Sequence, residues 1–154
     1  SKRREPIGEM MKKSHCRLVE EDEIVTEIRI PASARDYRIG YDKFRVRDSH
    51  DFAVVSVASA YKVQDGVVTD ARIVLGAVAP IPLRAKEAEA YITGKAVTGE
   101  LAAEAAEIAL QGALPLSKNG YKVQIARTLV RNSLLNARTP QRSEDSGADA
   151  QLMT

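Results

Sequence analysis

Asp65-Gly66 lies between two long apolar stretches, and this dipeptide restricts the fold more than any other feature of the chain. Asp-Gly suits the two-residue turn in which both central residues take positive φ, and that turn joins antiparallel strands. Before it, Ala53–Val63 puts Val55, Val57, Tyr61 and Val63 on one strand face and the mostly small Val54, Ser56, Ala58 and Ala60 on the other. Such a small-residue face would let a helix or another layer approach closely. After the turn, Val67–Val78 alternates Val67, Ala71, Ile73 and Leu75 against Asp70 and Arg72. Two further strands are predicted upstream. Ile24, Thr26, Ile28 and Ile30 alternate with Val25, Glu27 and Arg29 until Pro31 ends the run, and a second strand spans about Tyr37–Val46.

The period then changes. Pro80-Ile-Pro82 breaks the sheet, and Leu83–Thr93 reads as a short helix ending before Gly94. Thr98 is placed to cap a second helix running through Leu110, with Glu100 in its first turn, where the helix dipole favours an acid. A third helix is predicted from about Gly120 to Ala137, its apolar stripe of Ile125, Ala126, Leu129, Val130 and Leu134 covering the sheet. Strands followed by helices, without βαβ alternation, indicate an α+β domain: an antiparallel three- to four-stranded sheet against a bundle of about three helices. Pro6–Met11 has the form of a short helix start, Glu20–Glu23 that of a solvated acidic loop, and the polar tail 138–154 that of a disordered segment.

Composition narrows the function. Lys and Arg total 23 against 21 Asp and Glu, so no global field steers the chain onto nucleic acid or a membrane surface. No stretch approaches the roughly 20 apolar residues of a membrane span, and Ser1-Lys-Arg-Arg4 has no apolar core behind it to make a signal peptide. Cys16 stands alone, which excludes a disulfide framework and makes a cytoplasmic setting the expectation.

Candidate chemistry is sparse. His15 and Cys16 supply two possible metal ligands with no third or fourth at a matching spacing. Ser49-His50-Asp51 has the residue types of a nucleophilic triad, but neighbours in a loop point in different directions, and turn chemistry is the better account. Gly76, Gly94 and Gly99 are isolated, with no GxGxxG and no phosphate-loop lysine. Lys43, Arg45 and Arg47 form a basic run that Asp42, Asp48 and Asp51 offset.

Four stretches in series are more specific. They are Glu23-Ile-Val-Thr-Glu-Ile-Arg-Ile-Pro31, Tyr41-Asp-Lys-Phe-Arg-Val-Arg-Asp-Ser-His-Asp-Phe-Ala53, Ala71-Arg-Ile-Val-Leu-Gly-Ala-Val-Ala-Pro-Ile-Pro-Leu-Arg-Ala85 and Pro115-Leu-Ser-Lys-Asn-Gly-Tyr-Lys-Val-Gln-Ile-Ala-Arg-Thr-Leu-Val130. In this order they resemble the C-terminal part of the FAD-binding (medium) subunit of the molybdenum hydroxylases, the xanthine dehydrogenase and carbon monoxide dehydrogenase family. Two places depart from the family pattern: Met10-Met-Lys-Lys-Ser-His15 replaces an aromatic-rich segment, and Gly76-Ala77 stands where the family has Gly-Gly.

The resemblance implies a division into the end of an FAD-binding domain (1–31), a C-terminal α+β domain (32–137) and a tail (138–154). It implies that FAD lies between the two domains, bound mainly by glycine-rich loops outside these residues, so that the chain alone binds FAD poorly. By position, Val25 would be an apolar flavin contact and Lys43 would lie beside the isoalloxazine edge, with Arg47 and Asp51 ordering the adjacent loop. The implied partners are a molybdenum-cofactor subunit and an iron–sulfur subunit. The implied role is to cover a flavin that passes electrons from iron–sulfur clusters to an external acceptor. A non-catalytic scaffold that keeps the fold without flavin is the alternative.

Overall fold

A computed structural model of the chain describes Arg4 and residues 22–47 and 50–137. The helix start at Pro6, His15, Cys16, Ser49 and the expected disordered tail fall outside the described residues.

The Asp-Gly turn forms as its chemistry dictates. Asp65 has φ 50° and Gly66 φ 79°, the paired left-handed conformation that this hairpin needs. It joins β2 (Val55–Gln64) to β3 (Val67–Gly76). β1 (Arg38–Phe44) lies on the other side of β2, and β4 (Leu83–Arg84) pairs with β3, giving an antiparallel sheet in the order β1-β2-β3-β4. A short 3-10 turn, Ala32–Asp36, leads into β1.

The pleat sorts the side chains. Val57 lies opposite Leu75, Ser59 opposite Ile73 and Tyr61 opposite Ala71, and all six are buried. Against this face pack α1 (Lys86–Ile92), α2 (Gly99–Ala109) and α3 (Tyr121–Asn136). α3 lies on β2, α1 lies on β3, and α2 bridges α1 and α3. Ala102, Ala105 and Ala106 of α2 and Ala126 of α3 are buried. Such small side chains let helix axes approach closely, so alanine here shapes the packing as well as favouring the helix. The Thr98 hydroxyl accepts from the Leu101 amide at 3.0 Å, the expected cap, and α1 stops just before Gly94, which takes φ 82°. An antiparallel sheet with three helices on one face confirms the α+β reading.

Three details differ from the sequence reading. First, residues 23–31 form no ladder, and Ile24, Val25, Ile28 and Ile30 are exposed. An alternating pattern specifies half of a sheet contact, and no described strand supplies the other half. Second, Leu83 and Arg84 are a strand rather than the start of a helix, pairing with Leu75 and Val74. The outer edge of β3 presents backbone groups that need partners. The Ala85 amide continues the pairing by donating to the Ile73 carbonyl at 2.9 Å, and the helix begins only at Lys86. Third, the helices cover the large-residue face of β2, not the small one. The face carrying Ala58, with Ile39 and Tyr41 opposite Ala60 and Ala58 on β1, is uncovered by any described element.

One polar group lies deep in the core. The Tyr61 hydroxyl meets Ser133 Oγ at 2.9 Å, and that serine donates to the Val130 carbonyl. Burial pushes the Tyr61 phenol up from its usual 10.0 to about 12. The folded state thus holds the neutral phenol more tightly than the unfolded chain does. That contribution is complete below pH 10 and is lost as the pH rises through about 12, a loss of roughly 2–3 kcal/mol. Tyr61→Phe is expected to cost about 1 kcal/mol at neutral pH and to flatten the alkaline limb. Urea unfolding of both proteins at neutral pH and at pH values between 10 and 12 measures the two effects separately.

Candidate functional site

Between β1 and β2, the described residues 45–47 and 50–53 belong to a charged connection, closed at its base where the Val54 amide donates to the Phe44 carbonyl at 2.9 Å. Asp51 organises the loop from within. Its carboxylate accepts from the Phe52 amide at 3.0 Å through one oxygen and from Arg47 Nε at 3.2 Å through the other. Its main-chain carbonyl accepts from Lys43 Nζ at 2.8 Å. The Arg47–Asp51 pair is largely exposed and contributes little to global stability; its effect is to fix local geometry.

Beside this loop is an open concavity of about 510 Å³. β1 supplies Tyr41 and Lys43, the loop His50, Asp51, Phe52 and Ala53, β2 Ser56, and the turn after β3 Ala77. The pleat explains the convergence: Lys43 lies opposite Ser56, and Ser56 opposite Gly76, so these residues share the uncovered sheet face. A Cβ at Gly76 would meet the Ser56 hydroxyl in its present rotamer, so glycine leaves that hydroxyl its place. Lys122 at the start of α3 reaches the Ala77 carbonyl at 3.2 Å.

Of the residues singled out in the sequence, Lys43 and Asp51 line the concavity, and Arg47 acts on it through the Asp51 carboxylate. Val25 is 58% exposed in the extended segment before β1 and does not line it. His50 lines the concavity, but the Asp51 carboxylate is directed to Arg47 and the Phe52 amide rather than orienting an imidazole for nucleophilic chemistry. Among the described residues, no three His, Cys, Asp or Glu side chains converge in a way that would hold a metal ion, and no helix is long and apolar enough to cross a membrane.

Tyr41, Phe52 and Ala77 were not foreseen as site residues. Phe52, one of only two phenylalanines in the chain, is 95% exposed, and an aromatic ending a charged loop was the available signal. Ala77 has φ 62°, which costs a side-chain-bearing residue roughly 1–2 kcal/mol. Ala77→Gly removes that strain but adds freedom to the unfolded chain, and is expected to stabilise the protein by roughly 0.5–1 kcal/mol. A rise in thermal midpoint of a few degrees is the corresponding observation.

Comparison with known proteins agrees with this architecture. The family model for the CO dehydrogenase flavoprotein C-terminal domain matches residues 40–137. The carbon monoxide dehydrogenase medium chain of Hydrogenophaga pseudoflava is 31% identical over 125 residues, covering 79% of this chain and 43% of that protein. The glyceraldehyde dehydrogenase medium chain of Sulfolobus acidocaldarius is 31% identical over 111 residues, covering 70% and 39%. Among solved structures, the Hydrogenophaga pseudoflava carbon monoxide dehydrogenase lacking the Mo-pyranopterin moiety aligns with a TM-score of 0.73 at 34% identity, covering 83% of this chain and 45% of that one. Quinoline 2-oxidoreductase from Pseudomonas putida 86 gives 0.63 at 31% identity, covering 71% and 38%. The chain spans less than half the length of these relatives. With its family model matched from β1 to the end of α3, and the same sheet and helices in the aligned structures, the chain belongs to the CO dehydrogenase flavoprotein C-terminal domain family, the C-terminal part of the FAD-binding subunits of molybdenum hydroxylases.

Proposed function

We propose that this chain forms one wall of the flavin site in the FAD subunit of a molybdenum-containing hydroxylase or dehydrogenase. The observation that carries the reading is the concavity on the uncovered sheet face, with Lys43 held at its edge by the Asp51 carbonyl. Its shape suits one side of a flat ring system: it is open, bordered by the aromatic Tyr41 and Phe52, and lined by the small Ala53, Ser56 and Ala77. It contains no glycine-rich loop for a pyrophosphate, so the nucleotide part of FAD would be held by residues outside this chain.

When bound, FAD supplies the passage of electrons from iron–sulfur clusters to an external acceptor. The part of this chain is electrostatic and steric. Lys43 keeps a positive charge at a fixed point, where it favours negative charge arriving on a neighbouring ring. Asp51 and Arg47 keep the loop from collapsing into the concavity, and Tyr41 and Phe52 limit access of water. Val25 would add an apolar contact once the 23–31 segment is seated against the rest of the subunit. The partners are a molybdenum-cofactor subunit and an iron–sulfur subunit, in the cytoplasm.

The test is purification of the assembled complex through a tag on this chain, with assay of flavin, iron and molybdenum. Stoichiometric FAD with both partner subunits, together with weak FAD binding by the isolated chain, is the expected result. A complex without flavin would replace this reading by that of a scaffold. Tight stoichiometric FAD binding by the chain alone would overturn the division of the site.

A further inference from the structure

Ser56, near the start of β2, lines the concavity and differs from the other polar side chains there. Tyr41, Lys43 and His50 are exposed and Asp51 is half-buried, whereas Ser56 is only 8% exposed. The Lys43 ammonium is taken by the Asp51 carbonyl, and the Asp51 carboxylate by Arg47 and the Phe52 amide. No described residue engages the Ser56 hydroxyl in a hydrogen bond. A hydroxyl that has given up most of its water without gaining a partner is rare in a folded protein, and it marks a place where another group supplies the bond.

The surroundings preserve this hydroxyl without using it. Ser56 lies opposite Gly76, where a Cβ would meet the hydroxyl in its present rotamer. The next two residues of β2 on the same face, Ala58 and Ala60, carry methyl groups alone, so packing on this face does not call for a polar side chain. Lys43 lies opposite Ser56 on β1, which puts one charged and one neutral hydrogen-bonding group on adjacent strands at the sheet end. A serine hydroxyl both donates and accepts, and the isoalloxazine ring carries nitrogens and carbonyl oxygens at its edge. We propose, on the reading that this wall faces the flavin, that the Ser56 hydroxyl is a binding contact of this chain to FAD, hydrogen-bonded to a heteroatom of the isoalloxazine edge.

The test is titration of the flavin-depleted assembled complex with FAD, read by flavin fluorescence and by the visible absorption bands of the bound ring. Ser56→Ala is expected to raise the Kd for FAD by roughly threefold to tenfold, the usual contribution of one hydrogen bond, and to shift the bands. Gly76→Ala brings a methyl group to the hydroxyl's place and turns it away, so a loss of similar size is expected. Because both changes act on one hydroxyl, Gly76→Ala in the Ser56→Ala background is expected to add little. Full additivity would mean that the two losses arise separately, and would overturn the hydroxyl as their common source. Gel filtration and thermal unfolding of each complex report whether subunits and fold are retained. An unchanged Kd and unchanged bands for Ser56→Ala, with the complex intact, would overturn the contact while leaving the flavin wall in place. A complex that falls apart on Ser56→Ala would assign the hydroxyl to subunit packing and also overturn the contact. Absence of flavin from the unaltered complex would overturn the reading of the wall, and this proposal with it.

Discussion

Ile73→Ala is expected to destabilise the protein by about 3–4 kcal/mol, near the upper part of the range for truncating a buried isoleucine. Ile73 is fully buried in the middle of β3. Its cross-strand neighbour on β2 is Ser59, a side chain too short to relax into the space. The helix on that strand, α1, cannot settle easily either, because the Glu89 carboxylate ties it to the Ile73 amide at 2.8 Å. Ile73→Val, which removes one methylene, is expected to cost about 1 kcal/mol. A substitution of similar size on the exposed face, Ala58→Val, is expected to stay within about 0.5 kcal/mol. Urea unfolding of the three variants with unchanged slopes provides the measurement. A cost for Ile73→Ala as small as that for Ala58→Val would contradict the assignment of the core to the helix-covered face.

Glu89→Leu is expected to cost roughly 2–3 kcal/mol, more than its position on a short helix suggests. The Glu89 carboxylate is buried, accepts from the Ile73 amide at 2.8 Å, and takes Arg84 in a two-pronged contact, with Arg84 Nη2 at 2.7 Å. Leucine would leave the Ile73 amide without an acceptor inside the protein. Arg84 would lose its counterion but keep solvent access on its 42% exposed side chain, which limits the loss. Glu89→Gln retains a carbonyl for the amide and is expected to cost about half as much. Amide hydrogen exchange at Ile73 distinguishes a local opening from a general weakening: Glu89→Leu should accelerate exchange there well beyond the change in global stability.

These two residues also show why the sequence was legible in some places and opaque in others. Local rules located the Asp65-Gly66 turn, the Thr98 cap and the stop before Gly94, because each depends on chemistry within a few residues. β4 escaped notice because two residues have no period. Glu89 looked like an ordinary helix carboxylate, and only the tertiary fold brings it to an unfilled place on a strand edge. The covered side of β2 was also not decided by the sequence alone. A small-residue face suits a close helix equally well, and it is the large Val55, Val57 and Tyr61 on the other side that the helices bury.

The site shows the same limit. Lys43, Arg47 and Asp51 lie within a few residues of one another, and family resemblance was enough to single them out. Tyr41, Ser56 and Ala77 come from separate elements, joined through the pairing of β1 with β2 and β2 with β3. Val25 was read from the same resemblance, yet it is in a segment whose alternating side chains have no described partner.

The hold on Lys43 by a main-chain oxygen has a consequence for how the loop can vary. A carbonyl is present whatever residue occupies position 51, and no proton can remove it. Replacement of Asp51 by Ala would release Arg47 and the Phe52 amide while leaving the lysine its anchor. The charge at the sheet end and the order of the loop are therefore separately mutable, so this segment can drift in sequence, or be retuned, without surrendering its cation.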